Sequence, residues 1–145
     1  LAPALPIAPT AKVLAIDDDA ALLNLLQELM LPLGVEIVPL TSTQQLWENL
    51  THVQPDLILL DILMPDVDGV ELCRTIRTST QWKWVPIVFL TVCRDADTQV
   101  RVFEVGADDY LWKPFAPSVL ATRILNRVSR FKTIQQRAIA EITQF

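Results

Sequence analysis

Only three glycines, Gly34, Gly69 and Gly106, occur in the 145 residues. A dinucleotide-binding loop of the G-x-G-x-x-G kind needs its glycines within one short turn, so that class of enzyme is excluded. Histidine is scarcer still. His52 stands alone, and the two cysteines, Cys73 and Cys93, lack metal-ligand spacing. Zinc chemistry and Cys/His or Ser/His catalysis are thereby disfavoured, and a reducing, cytoplasmic setting is expected. No apolar run approaches the roughly 20 residues that cross a bilayer, so no membrane partner is expected.

Positive charge is not in excess either. Lys and Arg number 12 against 17 Asp and Glu, a net of −5, which disfavours direct nucleic-acid binding by the domain as a whole. The balance is uneven, because beyond Ser118 Arg123, Arg127, Arg130, Lys132 and Arg137 face only Glu141. That stretch reads as a solvated basic helix face. What the chain does have is apolar material: 51% hydrophobic residues and a mean hydropathy of +0.33. This suffices for one domain with a genuine core and rules out a disordered tail. Residues 1–11 contain three prolines and no basic residue. They lack the charged start of a secretory signal and read as a Pro-rich linker cut from a longer polypeptide.

The patterning alternates strand and helix five times. Val13–Ile16 reads as β1, followed by an amphipathic helix over Ala20–Leu31 that Pro32 and Gly34 stop. Val35–Leu40 reads as β2, and Thr41 or Ser42 is placed to cap a helix through Leu46, Leu50 and Val53. Leu57–Leu60 is β3, apolar on both faces as a central parallel strand should be. A helix over Val70–Arg77, a Trp-bearing loop from Gln81 to Pro86 and β4 at Ile87–Leu90 come next. A fourth helix over Asp95–Val105, β5 at Tyr110–Trp112 and a last helix from about Pro117 complete the set. Such alternation predicts a doubly wound α/β fold: a five-stranded parallel sheet, flavodoxin-like in order 2-1-3-4-5, with helices on both faces. The last helix is unusually long. Ala121, Ile124, Val128, Phe131, Gln135, Ala138, Ile142 and Phe145 step by three and four, the coiled-coil spacing. Its first half must cover the sheet, and residues 131–145 read equally as a helical extension or connector and as a frayed tail, leaving 12–130 as the domain proper.

Two strands end in carboxylates. Asp61 closes the run Leu57-Ile58-Leu59-Leu60, and Asp17-Asp18-Asp19 closes Val13-Leu14-Ala15-Ile16. In open α/β sheets this is the edge where ligands bind, and the switch point of the expected order lies between these two strands. Carboxylates so placed repel one another unless a cation lies between them, and Mg²⁺ takes oxygen ligands of this kind. Singly, each group has an ordinary structural use: an acid before a helix can cap it, and Asp61 can form a turn.

Taken together, Asp17-Asp18, Asp61 with Met64-Pro65 and Gly69 beyond it, Thr91 ending β4, and Lys113-Pro114 after β5 resemble a response-regulator receiver domain over about Lys12–Arg130. The resemblance implies Asp61 as phosphoacceptor nucleophile. It implies Mg²⁺ held by Asp17, Asp18, Asp61 and the backbone carbonyl of Leu63. It implies Lys113 as a point charge to Asp61 and then to the phosphate, placed by a cis Lys113-Pro114 peptide, and Thr91 as a hydroxyl donor to a phosphoryl oxygen. Thr91 and Tyr110 would form the switch that remodels the face of the fourth helix, β5 and the last helix. Partners implied are a sensor histidine kinase or histidine phosphotransfer domain as donor, and an output domain or partner protein at the face around Tyr110 and Trp112, with a dimer as a further option. Strand alternation puts Tyr110 and Trp112 on one side, with Trp112 expected to be half-covered by the long helix. No enzymatic turnover is implied beyond self-catalysed phosphorylation and slow autodephosphorylation.

Three positions depart from the usual pattern. Val92 is bulkier than the small residue common after the switch threonine. Leu63 and Cys93 stand where fast-cycling relatives often orient the hydrolytic water, so a long-lived acyl phosphate is expected. Two rivals remain, a Mg²⁺-dependent aspartyl-phosphate phosphatase and a degenerate receiver acting only as an interaction module. For the first, Asp17-Asp18-Asp19-Ala20-Ala21 lacks the usual fifth-position Thr or Val. Against the second stand the intact acidic and lysine positions. An FMN binder of the same fold class would need a Ser-, Thr- or Gly-rich loop where three aspartates stand.

Overall fold

The computed structural model describes residues 9–143. Five strands, β1 (Ala11–Ile16), β2 (Val35–Leu40), β3 (Leu57–Leu60), β4 (Ile87–Thr91) and β5 (Asp109–Trp112), form one parallel sheet in the order β2-β1-β3-β4-β5. The helices are α1 (Ala20–Met30), α2 (Leu46–Val53), α3 (Gly69–Thr78), α4 (Ala96–Glu104) and α5 (Pro117–Thr143). This is the architecture expected from the alternating pattern.

Burial explains the layering. All four residues of β3 are buried, and they alternate between two cores. Leu57 and Leu59 join Leu23, Leu26 and Met30 of α1 and Leu120, Ile124 and Val128 of α5 on one face. Ile58 and Leu60 join Leu46 and Leu50 of α2, Val70 and Ile76 of α3 and Val102 of α4 on the other. The central strand therefore needs apolar residues at every position, whereas the edge strand β2 tolerates Pro39, which has no N–H to donate to a ladder.

Boundaries shift in ways that local chemistry explains. The second helix begins at Leu46, not after Thr41 or Ser42. Ser42 Oγ accepts from Gln44 N and Thr43 Oγ1 donates to Asp66, so these hydroxyls build a turn instead of a cap. Asp19, Asp68 and Asp95 are the N-caps of α1, α3 and α4. Strand β1 starts at Ala11, itself buried, two residues before the sequence pattern becomes clear.

Helix α5 runs 27 residues, and its buried positions are Leu120, Ala121, Ile124 and Val128. Beyond Phe131 every described residue is exposed, including Ile134, Ile139 and Ile142. Lys132 ties the start of this segment to Asp56, at 3.7 Å, and to the Thr10 carbonyl, at 3.4 Å. Phe145, the last position of the three-and-four pattern, and residues 1–8 of the Pro-rich stretch lie outside the described residues.

Candidate functional site

The site forms where β1, β3 and β5 end. The parallel register sets Ile16 beside Leu60, so the residues that follow, Asp17 and Asp61, emerge side by side at the switch point. Backbone hydrogen bonds hold both there: Asp61 N donates to the Ile16 carbonyl at 3.1 Å and Asp17 N to the Leu40 carbonyl at 3.2 Å. Asp17 and Asp61 are only 5% and 6% exposed, while Asp18 faces solvent. One carboxylate oxygen from each of Asp17, Asp18 and Asp61 lies within 4.8 Å of the others.

Lys113 enters from the loop after β5, where its N–H donates to the Thr91 carbonyl and its peptide bond to Pro114 is cis. Its ammonium lies 2.7 Å from Asp17 Oδ2 and 3.5 Å from Asp61 Oδ2. The shorter contact is to Asp17, although the resemblance had linked Lys113 first to Asp61. The remaining oxygens have their own donors: Asp17 Oδ1 accepts from Asp19 N and Asp61 Oδ1 from Ile62 N. Burial pushes the Asp61 pKa above its ordinary value. Lys113 opposes that rise and the Asp17 charge reinforces it. Burial alone would lower the Lys113 pKa, but the Asp17 hydrogen bond and the two carboxylate charges outweigh it and the pKa rises.

The turn after β3 brings a requirement that its sequence shows only as a glycine. A Cβ at Gly69 would stand 2.0 Å from the Asp61 carbonyl oxygen and 2.8 Å from Ile62 Cα. Gly69 N donates to the Ile62 carbonyl, and Leu63 bridges Asp68 across the turn. The first turn of α3 therefore rests directly on the main chain of Asp61, and any side chain at position 69 would push it away. Leu63 itself projects outward, 59% exposed.

Thr91 is fully buried at the end of β4, and its hydroxyl accepts from Cys93 N at 3.3 Å. Tyr110 sits opposite Phe89 in the β4–β5 register and packs into the core on the α2–α3–α4 face. Its buried hydroxyl has no hydrogen-bond partner among the described residues, and burial raises its pKa. Tyr110 meets Trp112 edge to face at 6.4 Å between ring centroids, as strand alternation requires. Trp112 is 41% exposed, and the Arg94 guanidinium lies 4.6 Å from its ring centroid, a cation–π contact from the β4–α4 loop.

Several polar ties that support this edge carry no motif in the sequence. Arg77 spans the carbonyls of Lys83, Val85 and Gly106 and pairs with Asp108, joining α3, the Trp-bearing loop and the turn before β5. Asp109, buried at the start of β5, takes Arg123 of α5 at 2.9 Å. Arg101 of α4 reaches Asp68 at 3.0 Å. Arg77 and Asp108 stand 31 residues apart and Arg101 and Asp68 33, so no short-range pattern reveals these pairs.

As a donor set, three carboxylates with one open to water suit a hard divalent cation. Mg²⁺ takes oxygen ligands and keeps several waters, and no softer ligand stands in the cluster. Among the described residues no helix is long and apolar enough to cross a membrane.

Comparison with known proteins agrees with this geometry. Residues 13–125 match the response regulator receiver domain family. The chain is 42% identical over 121 residues to Protein RcaC of Microchaete diplosiphon, covering 83% of this chain and 19% of that protein. It is 35% identical over 119 residues to the DNA-binding response regulator MtrA of Mycolicibacterium paratuberculosis, covering 82% of this chain and 52% of MtrA. It thus spans about a fifth of one relative and half of the other. In structure it is similar to the BeF3-activated receiver domain of Klebsiella pneumoniae RstA, with a TM-score of 0.73 and 31% identity over 81% of this chain and 97% of that one. With a family match across most of its length and receiver architecture throughout, the chain belongs to the response regulator receiver domains.

Proposed function

We propose that Asp61 accepts a phosphoryl group from a phosphohistidine donor and that the resulting charge resets a protein-docking face. The observation that carries this reading is the cluster of Asp17, Asp18 and Asp61 within 4.8 Å, with the Lys113 ammonium bridging two of them. Asp61 is the nucleophile because it alone of the three follows the central strand β3, with the Lys113 ammonium shared between it, at 3.5 Å, and Asp17, at 2.7 Å. An oxygen of its carboxylate forms the new bond to phosphorus, and the bond from phosphorus to the donor imidazole nitrogen breaks with its electron pair staying on nitrogen.

Phosphoryl transfer asks the protein for placement and charge stabilisation more than for covalent chemistry. Asp17, Asp18, Asp61 and the Leu63 backbone carbonyl would hold Mg²⁺, which supplies positive charge to the transferring oxygens. Lys113 contributes a second positive charge, already oriented by Asp17. Thr91 offers its hydroxyl hydrogen to a phosphoryl oxygen, a donation that leaves its lone pairs free to accept from Cys93 N. The donor is a sensor histidine kinase or a histidine phosphotransfer domain. The role is regulatory, with slow self-catalysed loss of the phosphoryl group and no substrate turnover.

The output side is the face of α4, β5 and α5. Val100 and Phe103 of α4, Trp112 of β5 and Val119 of α5 are exposed there, a set suited to an output domain, a partner protein or a second copy. Residues 12–130 act as the receiver, and the exposed end of α5 from 131 onward acts as a helical connector. The whole chain carries a net charge of −5, which disfavours direct nucleic-acid contact by the domain itself.

Intact mass after incubation with acetyl phosphate and Mg²⁺ tests the reading. Wild type should gain one phosphoryl group and Asp61→Asn none. Equal modification of both, or of neither, would remove Asp61 from its role.

A further inference from the structure

Helix α4 is the least anchored element next to the site. Val102 is its one buried residue, while Val100 and Phe103 are exposed. Among the described residues, one side-chain tie joins residues 96–104 to another element: Arg101 Nη2 to Asp68 Oδ2, at 3.0 Å. Asp68 is not an ordinary surface acid. Its other oxygen caps α3 by accepting from Val70 N at 2.9 Å, and its backbone bridges Leu63. Its neighbour Gly69 abuts the Asp61 carbonyl so closely that a Cβ there would stand 2.0 Å away. The main chain of Asp61 cannot move without displacing Gly69, and with it the carboxylate that holds Arg101.

We propose that the Asp68–Arg101 ion pair is a mechanical coupling from the Asp61 turn to α4, separate from the Thr91 and Tyr110 pair. It rests on the reading of Asp61 as phosphoacceptor. Loading Asp61 shifts the turn, loosens or re-aims Asp68, and so changes how firmly α4 is held. A half-exposed pair suits this task, since side-chain exposures of 48% for Arg101 and 41% for Asp68 keep the contact weak enough to yield. Asp68 and Arg101 are positioning residues here, acting through the turn and the helix without touching the phosphoryl group.

The experiment is hydrogen exchange of the 96–104 amides in the full chain, with and without acetyl phosphate and Mg²⁺. Wild type, Arg101→Gln, Asp68→Asn and the double variant are compared. Asn caps a helix about as well as Asp, so Asp68→Asn removes the ion pair and leaves α3 capped. Without phosphodonor, each single variant should speed α4 exchange by about two- to fivefold, and the double variant no further. Arg101→Lys, which keeps the charge, should fall between wild type and Arg101→Gln. On loading, the α4 response should shrink in the variants while the response around Tyr110 in β5 persists. Additive single effects, or an α4 response unchanged in Arg101→Gln, would overturn the coupling even where the adduct forms. A wild type that takes no phosphoryl group would instead remove the reading beneath it.

Discussion

Replacing Asp61 by Asn should make the metal-free protein more stable, although it removes the proposed reactive group. The Asp17 and Asp18 oxygens lie within 4.8 Å of an Asp61 oxygen. At that distance and an effective dielectric of about 20, two unit charges repel by about 3.5 kcal/mol. Lys113, at 3.5 Å from Asp61, returns about 4.7 kcal/mol by the same rule. Asp18 faces solvent, so its share is heavily screened. Burial of the Asp61 carboxylate adds to the cost. The two Coulomb figures leave a net attraction of about 1 kcal/mol, which the burial cost, the largest contribution and several kcal/mol per ion, exceeds. Relief of about 1–3 kcal/mol follows, or a rise in Tm of about 3–9 °C for a domain of this size. Asn preserves the volume and can still accept the Ile62 N–H.

The pH dependence has a definite sign. Burial raises the folded-state pKa of Asp61 above its ordinary 3.8, so the native chain binds that proton more tightly than the unfolded one. Wild type loses stability relative to the Asn variant as pH climbs through that interval, and the gap vanishes toward pH 3.8 and below. Mg²⁺ should act in the opposite direction, adding about 1.4 kcal/mol to wild type at a tenfold excess over Kd and less to the variant. Thermal melts in EDTA and in Mg²⁺ between pH 4.5 and 8 provide the check. An Asn variant that melts at or below wild type in EDTA at neutral pH, or an equal Mg²⁺ shift in both proteins, would refute the reasoning.

Gly69→Ala forces a Cβ to within 2.0 Å of backbone that cannot rotate away. It should cost about 1–3 kcal/mol in urea denaturation and slow adduct formation by acetyl phosphate, because the Asp61 turn must shift; unchanged values in both assays would contradict the close approach. Lys113→Met leaves Asp17 and Asp61 without their cation and should destabilise the metal-free protein by about 3 kcal/mol. That gap should hold through neutral pH and shrink only above the ordinary lysine value of 10.5, since the folded-state pKa is raised beyond it. Decay of the acyl phosphate, followed by intact mass after donor removal, should be slow, and Leu63→Asn should hasten it by giving water a polar partner beside Asp61. Decay as rapid as in chemotaxis-type receivers would end that expectation.

Much of this architecture was legible in the sequence because it follows from short-range patterns. The run Leu57-Ile58-Leu59-Leu60 admits few readings other than a doubly covered strand, and crossover handedness leaves few topologies, of which the order 2-1-3-4-5 is the common one. Asp17, Asp61 and Lys113 were legible as a set because each ends or follows a strand, and the parallel register brings strand ends together. What stayed hidden depends on side-chain reach. That Lys113 lies nearer Asp17 than Asp61 is decided by about an ångström of geometry, which no spacing encodes. The start of α2 at Leu46 was obscured by hydroxyl residues that form turns as readily as caps. The cover on Trp112 offered by Arg94, and the ties from Arg77, Arg101 and Arg123, join positions whose partnership emerges only once the sheet edge is built.

Borohydride reduction of the freshly loaded protein, followed by peptide mapping, is the most direct trial of Asp61 as phosphoacceptor, because it converts an acyl phosphate on a side chain into an alcohol at that residue. The account predicts the reduced side chain at Asp61 alone, formed only when Mg²⁺ accompanies the phosphodonor. Reduction at Asp17 or Asp18, or the same yield in EDTA, would contradict it.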